Sequence, residues 1–437
     1  LAALAGAAAL WGAPLRFVDV PEGGQVRSYS DGVMAAVSVV EDADGVSRLR
    51  INNRAQEGSS ASGLVEWRLA QLPLLLHPAP RQALFLGLGT GFTAAAAAQE
   101  PGLHVQAVEL LPEVITAAGL FAQSPAAPVP VRPVHVVAAD ARRFVQASEA
   151  HYDVIVADLF HPARSGAGAL YTEEQFAAVR ARLAPGGLFC QWLALHQMDL
   201  DTLRSIVAAF QAVYPNAIAV LASNSLDTPV LGLVARPDAG PLDLAELRTR
   251  LAGAAALKGA NGTQRLAAAR LEDEFALAGS VIAGPAALAR FAGRAQSNTD
   301  DHPVVVHQAP WATYAPATRP RERLMTLLTE LRPLTQDVLR RPDGEDADRL
   351  QAYWAARQRY LEFGATVRPV ADPAQMLQQV QMPLLALLRV SPDFRPACEA
   401  LVAMAQALGP RDPARAQALV GALDAAGARC GPAAPAP

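Results

Sequence analysis

The run Ala83-Leu84-Phe85-Leu86-Gly87-Leu88-Gly89-Thr90-Gly91 constrains this chain more than any other stretch. A short apolar strand that ends in alternating glycines reads as a buried strand turning sharply into a helix. That is the opening unit of a doubly wound α/β sheet. Glycine lets the backbone adopt left-handed conformations and come close to a ligand. Glu109 ends the next apolar run, Val105-Gln106-Ala107-Val108. A carboxylate there is placed to accept hydrogen bonds from ribose hydroxyls. The loop spacing is G-x-G-x-G, with Phe92 where a dinucleotide fingerprint would carry its third glycine. This favours an S-adenosylmethionine-type ligand, held around Gly87, Gly89, Thr90 and Gly91, over NAD.

Apolar segments continue in alternation with helical patterns. Strands are expected at 83–87, 104–109, 133–137, 153–158, 187–192, 217–222 and 229–235, with helices between most of them. Seven strands is the count of a class I methyltransferase-like sheet, whose last strand is antiparallel. Before this region, residues 33–40 and 47–51 are strand-like and flank Asp44-Gly45, a hairpin signal. The fold expected is therefore α/β, with a small N-terminal β domain at 15–73 and the nucleotide-binding domain at 74–237. A helical extension should pack on the core at 238–335. In it, Val304-Val305-Val306 reads as a strand after the polar turn Ser297–Pro303. Residues 336–437 read as helical, with one tetratricopeptide-like hairpin and a disordered tail from Gly431. Residues 1–14 form an apolar segment, and Leu1–Leu10 is too short to span a bilayer. It reads either as the remnant of a membrane helix or signal sequence, or as an ordinary apolar terminus.

The 437 residues carry a net charge of -4, which gives no sign of nucleic-acid binding. Cys190, Cys398 and Cys430 have no metal or redox spacing. They point to a reducing compartment or indifference to redox rather than to a disulfide framework. Neighbouring residues in one turn, such as Asp300-Asp301-His302, rarely converge on an ion, so no metal site is expected.

Two further carboxylates end strands. Asp140 opens Asp140-Ala141-Arg142-Arg143, where it would accept from an adenine amine, cap a helix, or do both. Asp158 follows Tyr152–Ala157, at the carboxyl end of the fourth strand, beside the crevice where such sheets bind ligands. It is placed for base chemistry on a bound substrate, against the plainer reading of a capping Asp. The loop from Leu159 to Tyr171 is long and contains Gly166 and Gly168. It reads as a lid over the crevice, or as a connector.

The order Gln56, Leu72-Pro73-Leu74, His77-Pro78, Gly87–Gly91, Glu109, Asp140-Ala141, Tyr152–Ile155, Asp158, Pro162, Leu170-Tyr171 and Phe176 resembles the spermidine synthase family (polyamine aminopropyltransferases). It is most similar to bacterial synthase-like proteins fused behind a multi-helix membrane segment, which also have a turn like Asn298–Pro303. The resemblance covers about residues 25 to 310. It implies transfer of an aminopropyl group from decarboxylated S-adenosylmethionine to an amine, with release of methylthioadenosine. It further implies that Glu109, with Leu110, holds the ribose, Asp140-Ala141 the adenine, and Gln56 the nucleoside side. Asp158 matches the catalytic aspartate and would take the proton of the attacking amine. Four departures bear on the donor and the acceptor. Thr90 stands where the family has an Asp that helps anchor the amine of the aminopropyl group. His161 stands for a second loop aspartate, Val65-Glu66 for a Tyr-His or Tyr-Gln pair, and Thr228 for a Tyr before proline. Glu66, His161 and Tyr171 are accordingly the expected substrate and lid residues. The departures leave the acceptor open, and with it the donor, decarboxylated or intact. Alternatives are an S-adenosylmethionine-dependent methyltransferase and a non-catalytic nucleoside-binding domain of a membrane protein. The partner expected is a small amine, with association to a membrane through a missing N-terminal segment and a homo-oligomer as open cases. The location implied by ligand supply is the cytoplasm, at the inner membrane face if Leu1–Leu10 is a helix remnant.

Overall fold

Eight strands form the central sheet, in the order β11-β9-β10-β8-β7-β4-β5-β6. They are β4 (Gln82–Leu86), β5 (His104–Glu109), β6 (His135–Ala138), β7 (Tyr152–Ala157), β8 (Leu183–Ala194), β9 (Ile218–Leu221), β10 (Val230–Ala235) and β11 (Val281–Ala283). The computed structural model describes residues 17–54, 58–124, 134–238, 240–257 and 262–430. Strands β6, β5, β4, β7 and β8 run parallel, while β10 runs antiparallel to both β8 and β9. Seven of the eight strands were expected, each within a few residues of its place.

The apolar runs are continuous because helices cover both faces of the sheet. Side chains alternate between the two layers. Ala83, Phe85, Val154 and Val156 join one core, and Leu84, Leu86, Ile155 and Ala157 the other. The first layer holds α1 (Gly63–Leu76), whose Leu69 carbonyl accepts a 3.2 Å hydrogen bond from Trp192 Nε1 of β8. It also holds α2 (Phe92–Ala97). On the other layer lie α5 (Glu173–Ala181) and α6 (Leu200–Val213), with Phe176, Phe189, Phe210 and Tyr214 in one aromatic stack. The first layer also takes Ile115 and Ala118 of α3 (Pro112–Phe121), and the other takes Phe144 and Val145 of α4 (Ala141–Ala147). A separate antiparallel sheet, β1 (Gln25–Asp31), β2 (Ala36–Glu41) and β3 (Ser47–Ile51), packs on α3. Asp42 Oδ1 closes its Asp44-Gly45 turn by accepting from the amides of Asp44 and Val46.

Three sequence expectations are corrected. Val304–Val306 opens a helix, α11 (Val304–Tyr314), not a strand. Its buried positions Val305, Ala309 and Ala312 recur at helical spacing, which a three-residue β-branched run does not reveal. The extension is not wholly helical either: β11 pairs with β9 and adds an edge strand. Cys398 and Cys430 form a disulfide, with Cα atoms 5.9 Å apart, and Cys190 is a buried free thiol. Spacing along the chain carries no information about a pair brought together by helix packing. Leu1–Leu10 and the tail from Gly431 lie outside the described residues. Among those described, no helix is long and apolar enough to cross a membrane.

Candidate functional site

A cavity of about 1010 Å³ opens where β4, β5, β6 and β7 end. It sits where β4 has β5 on one side and β7 on the other, the switch point of the sheet. Gly87, Leu88, Gly89 and Thr90 come from the turn after β4, Glu109 and Leu110 from the end of β5, Asp140 and Ala141 from the start of α4, and Asp158 from the end of β7. Glu66 of α1 and His161 of the loop after β7 line the same space. Gly91 lies outside the lining: with φ of 83° it caps α2 and donates its amide to Leu88 O at 2.8 Å. Tyr171 is fully buried behind the loop, and its hydroxyl donates to Phe160 O at 2.6 Å. Gln56 lies outside the described residues.

Each strand end is held by the neighbouring strand. Gly87 N donates to Val108 O at 2.8 Å, and Asp158 N donates to Leu86 O at 2.9 Å. Gly87 has φ of 95°, and a Cβ there would stand 3.1 Å from the Asp158 Cβ. Glycine is required by both conformation and space. The Glu109 carboxylate accepts from Leu88 N at 3.1 Å through one oxygen and from Leu111 N at 3.0 Å through the other. It thus ties the glycine turn to the end of β5 and keeps free lone pairs for ligand hydroxyls. Asp140 Oδ1 accepts from Arg143 N at 2.8 Å as the cap of α4, so its helix-capping role is present in the structure.

Asp158 accepts a 2.8 Å hydrogen bond from Leu159 N, which favours its charged form, but burial outweighs this and pushes its carboxyl up to about 6. The Glu109 charge adds to that rise. Glu66 accepts from Ser62 Oγ at 2.6 Å and from Thr90 Oγ1. Burial still raises it to about 7, with the Asp158 charge a further contribution. Thr90, in the place of a loop carboxylate, therefore presents one: its hydroxyl holds Glu66 toward the cavity. Burial also drives His161 and His196 down to about 4, so both imidazoles are neutral at pH 7.

The loop after Asp158 is fastened at its far end. Asn298, fully buried, donates through Nδ2 to Tyr171 O at 2.8 Å and Gly168 O at 3.3 Å, and accepts from Val305 N at 3.1 Å. Arg142 Nη1 donates to Ala169 O at 2.9 Å and to Asp300 Oδ1 at 2.8 Å. The turn at Asn298–His302 thus anchors a loop, and among the described residues no group of His, Cys, Asp or Glu is arranged to hold a metal.

Residues 64–223 match the spermine/spermidine synthase domain. Over these residues the chain is similar to the spermidine synthase family. Over 149 residues the chain is 26% identical to spermidine synthase of Dictyostelium discoideum, a match covering 34% of this chain and 52% of that protein. Over 152 residues it is 29% identical to putrescine N-methyltransferase 2 of Nicotiana attenuata, covering 34% and 41%. The chain thus spans about half or less of these curated relatives' length. A crystal structure of a probable spermidine synthase from Corynebacterium glutamicum is similar at 19% identity and a TM-score of 0.44, covering 63% of this chain and 97% of that one.

His196, Ser223 and Ser225, which line the cavity with Thr228, were missed from the sequence. His196 was open to discovery, since it follows the carboxyl end of β8. The serines follow β9 and carry no motif.

Proposed function

We propose that this protein transfers an aminopropyl group from decarboxylated S-adenosylmethionine to an amine. The observation that carries the reading is Asp158, at the end of β7, facing the same cavity as the glycine turn, Glu109 and Asp140. Glu109 would hold the ribose hydroxyls, with Leu110 against the nucleoside, and Asp140-Ala141 would meet the adenine. The sulfonium of the donor already activates its neighbouring methylene. The amine nitrogen bonds to that carbon, the carbon–sulfur bond breaks, and its electron pair stays on sulfur as methylthioadenosine leaves. What the protein supplies is alignment and removal of one proton from the amine. A carboxyl group raised to about 6 is matched to that task near neutral pH. Glu66 lies within the electrostatic reach of Asp158 and would share the incoming ammonium.

A second reading, methyl transfer from intact S-adenosylmethionine, is favoured by Thr90 and by similarity to putrescine N-methyltransferases. A mass-spectrometric assay with both donors and a panel of amines separates them, by methylthioadenosine or S-adenosylhomocysteine as product. Under either transfer, Asp158→Asn should lower turnover at least about 100-fold while nucleoside binding is kept. Undiminished turnover in that variant would remove Asp158 as the base. Nucleoside binding without turnover from either donor would favour a binding module.

We propose domain boundaries at 14–15, 237–238 and 335–336, with the one expected at 73–74 moved ahead of α1, which runs unbroken from Gly63 to Leu76. A cytoplasmic location is proposed on donor supply; in a reducing compartment Cys398 and Cys430 would stand as thiols, which thiol labelling of freshly lysed cells would reveal.

A further inference from the structure

An ammonium shared by Glu66 and Asp158 can belong to either substrate, so the mounting of Glu66 matters. Glu66 stands in the first turn of α1 and faces the cavity. Its carboxylate accepts from Thr90 Oγ1, inside the glycine turn, and from Ser62 Oγ at 2.6 Å. The same turn is fastened to the nucleoside side, since Leu88 N donates to Glu109 at 3.1 Å. Gly58, whose carbonyl accepts from Leu49 N of β3, covers the contact. A Cβ at Gly58 would stand 2.7 Å from Thr90 Cγ2 and 3.6 Å from Glu66 Oε1. Glu66 is therefore fixed to the turn that meets the donor.

Among the described residues the partners of Glu66 are those two hydroxyls, and the charge acting on it is that of Asp158. A carboxylate shielded from water is costly to ionise without a cation, so a bound ammonium is favoured at this point. The lining arginines are engaged elsewhere. Arg48 bonds Asp42, and Arg142 bonds Asp300 and the Ala169 carbonyl. Arg143 stands in the first turn of α4, on the Asp140 side. Decarboxylated S-adenosylmethionine ends in an ammonium on a short carbon tail. Intact S-adenosylmethionine carries a carboxylate on the carbon that bears its ammonium. At Glu66 the first gains a charge-assisted hydrogen bond, whereas the second sets its carboxylate against those of Glu66 and Asp158.

Resting on the transferase reading above, we infer that Glu66 selects the donor: its carboxylate, held by Thr90, receives the terminal ammonium of the aminopropyl group and repels the carboxylate of intact S-adenosylmethionine. Glu66 is then a specificity-determining residue, supplied by α1 rather than by the glycine turn itself. The donor's ammonium stays charged throughout the transfer, while the acceptor nitrogen gives its proton to Asp158.

The test uses the full chain and three ligands: decarboxylated S-adenosylmethionine, S-adenosylmethionine, and methylthioadenosine, which has the nucleoside but no ammonium. Calorimetric titration should give a Kd at least about tenfold lower for the decarboxylated donor than for the intact one. Glu66→Gln keeps the shape of the side chain but not its charge. It should weaken the decarboxylated donor by about tenfold or more and leave the intact donor unchanged or tighter. Unchanged methylthioadenosine binding would report that the variant is folded. Thr90→Val, which removes the anchoring hydroxyl, should narrow the preference in the same direction. The wild-type comparison stands whether or not the variants fold. Equal or reversed donor affinities in the wild type, or an equal loss for all three ligands in Glu66→Gln, would overturn the inference. Turnover distinguishes it from the transferase reading. Aminopropyl transfer with the donor preference unaltered in Glu66→Gln would keep the transferase and discard the role of Glu66. A Glu66-dependent preference without turnover would keep that role and discard the transferase.

Discussion

Two carboxyl groups, Asp158 and Glu66, keep their protons well above the ordinary carboxylate range because burial penalises their charge. This ties activity and stability to pH in opposite directions. An unfolded Asp loses its proton near 3.8, the folded Asp158 near 6. Between those values the folded state holds more protons, so the free energy of unfolding falls as pH rises through the window. Asp158→Asn cannot ionise and escapes the loss. Its thermal midpoint should equal that of the wild type below about pH 4 and exceed it at pH 8, by a free energy on the order of 1–3 kcal/mol. Thermal melts across pH 4–8 check this, and an equal midpoint at pH 8 would contradict it. Turnover should move the other way, rising through about pH 6–7 as the pair becomes able to take a proton. At this scale the place of Asp158, Glu109 and Asp140 at the cavity was legible because each lies at or just beyond the end of an apolar strand. The Thr90–Glu66 contact was not, because a helix residue and a turn residue 24 positions apart meet only through packing.

Asn298 shows how an element can depend on one distant side chain. It satisfies the carbonyls of Gly168 and Tyr171 and the amide of Val305 while fully buried. Replacing it with Ala would leave these backbone groups unpaired, at a cost of about 1–3 kcal/mol. Asn298→Ala should therefore accelerate proteolysis within 159–171 and lower turnover, with the nucleoside side unaffected. Limited proteolysis with product assays checks both, and unchanged cleavage would deny the turn its anchoring role. Sequence patterning located the loop and the polar turn. It did not reveal that one fastens the other, since their residues are about 130 positions apart. The same limit explains α11: a Val-Val-Val run suits a strand locally, and the covered face of the helix is defined by its neighbours.

The C-terminal helices α14 (Glu345–Gly364), α15 (Pro373–Val390), α16 (Arg395–Leu408) and α17 (Pro413–Ala425) share one continuous core with the first layer of the sheet. Asp393, 6% exposed, is bonded by Arg349 at 2.9 and 3.1 Å and by Arg429 at 3.0 Å, beside the Cys398–Cys430 bridge. A bridge across 32 residues restricts the unfolded chain by roughly 3–4 kcal/mol in the chain-entropy view. Cys430→Ser, or reduction, should lower the thermal midpoint of the protein without changing nucleoside affinity; calorimetry with and without dithiothreitol checks this, and an unchanged midpoint would deny the bridge a stabilising role. Taken across the molecule, local sequence determined the strands, the glycine turn and the carboxylates at strand ends. These follow from apolar periodicity and from the few residues that a sharp turn tolerates. The disulfide, the edge strand β11, the Asn298 anchor and the pairing of Glu66 with Thr90 were decided by tertiary structure alone. Each joins segments whose spacing in the chain carries no signal, so only packing against a shared core brings them within reach.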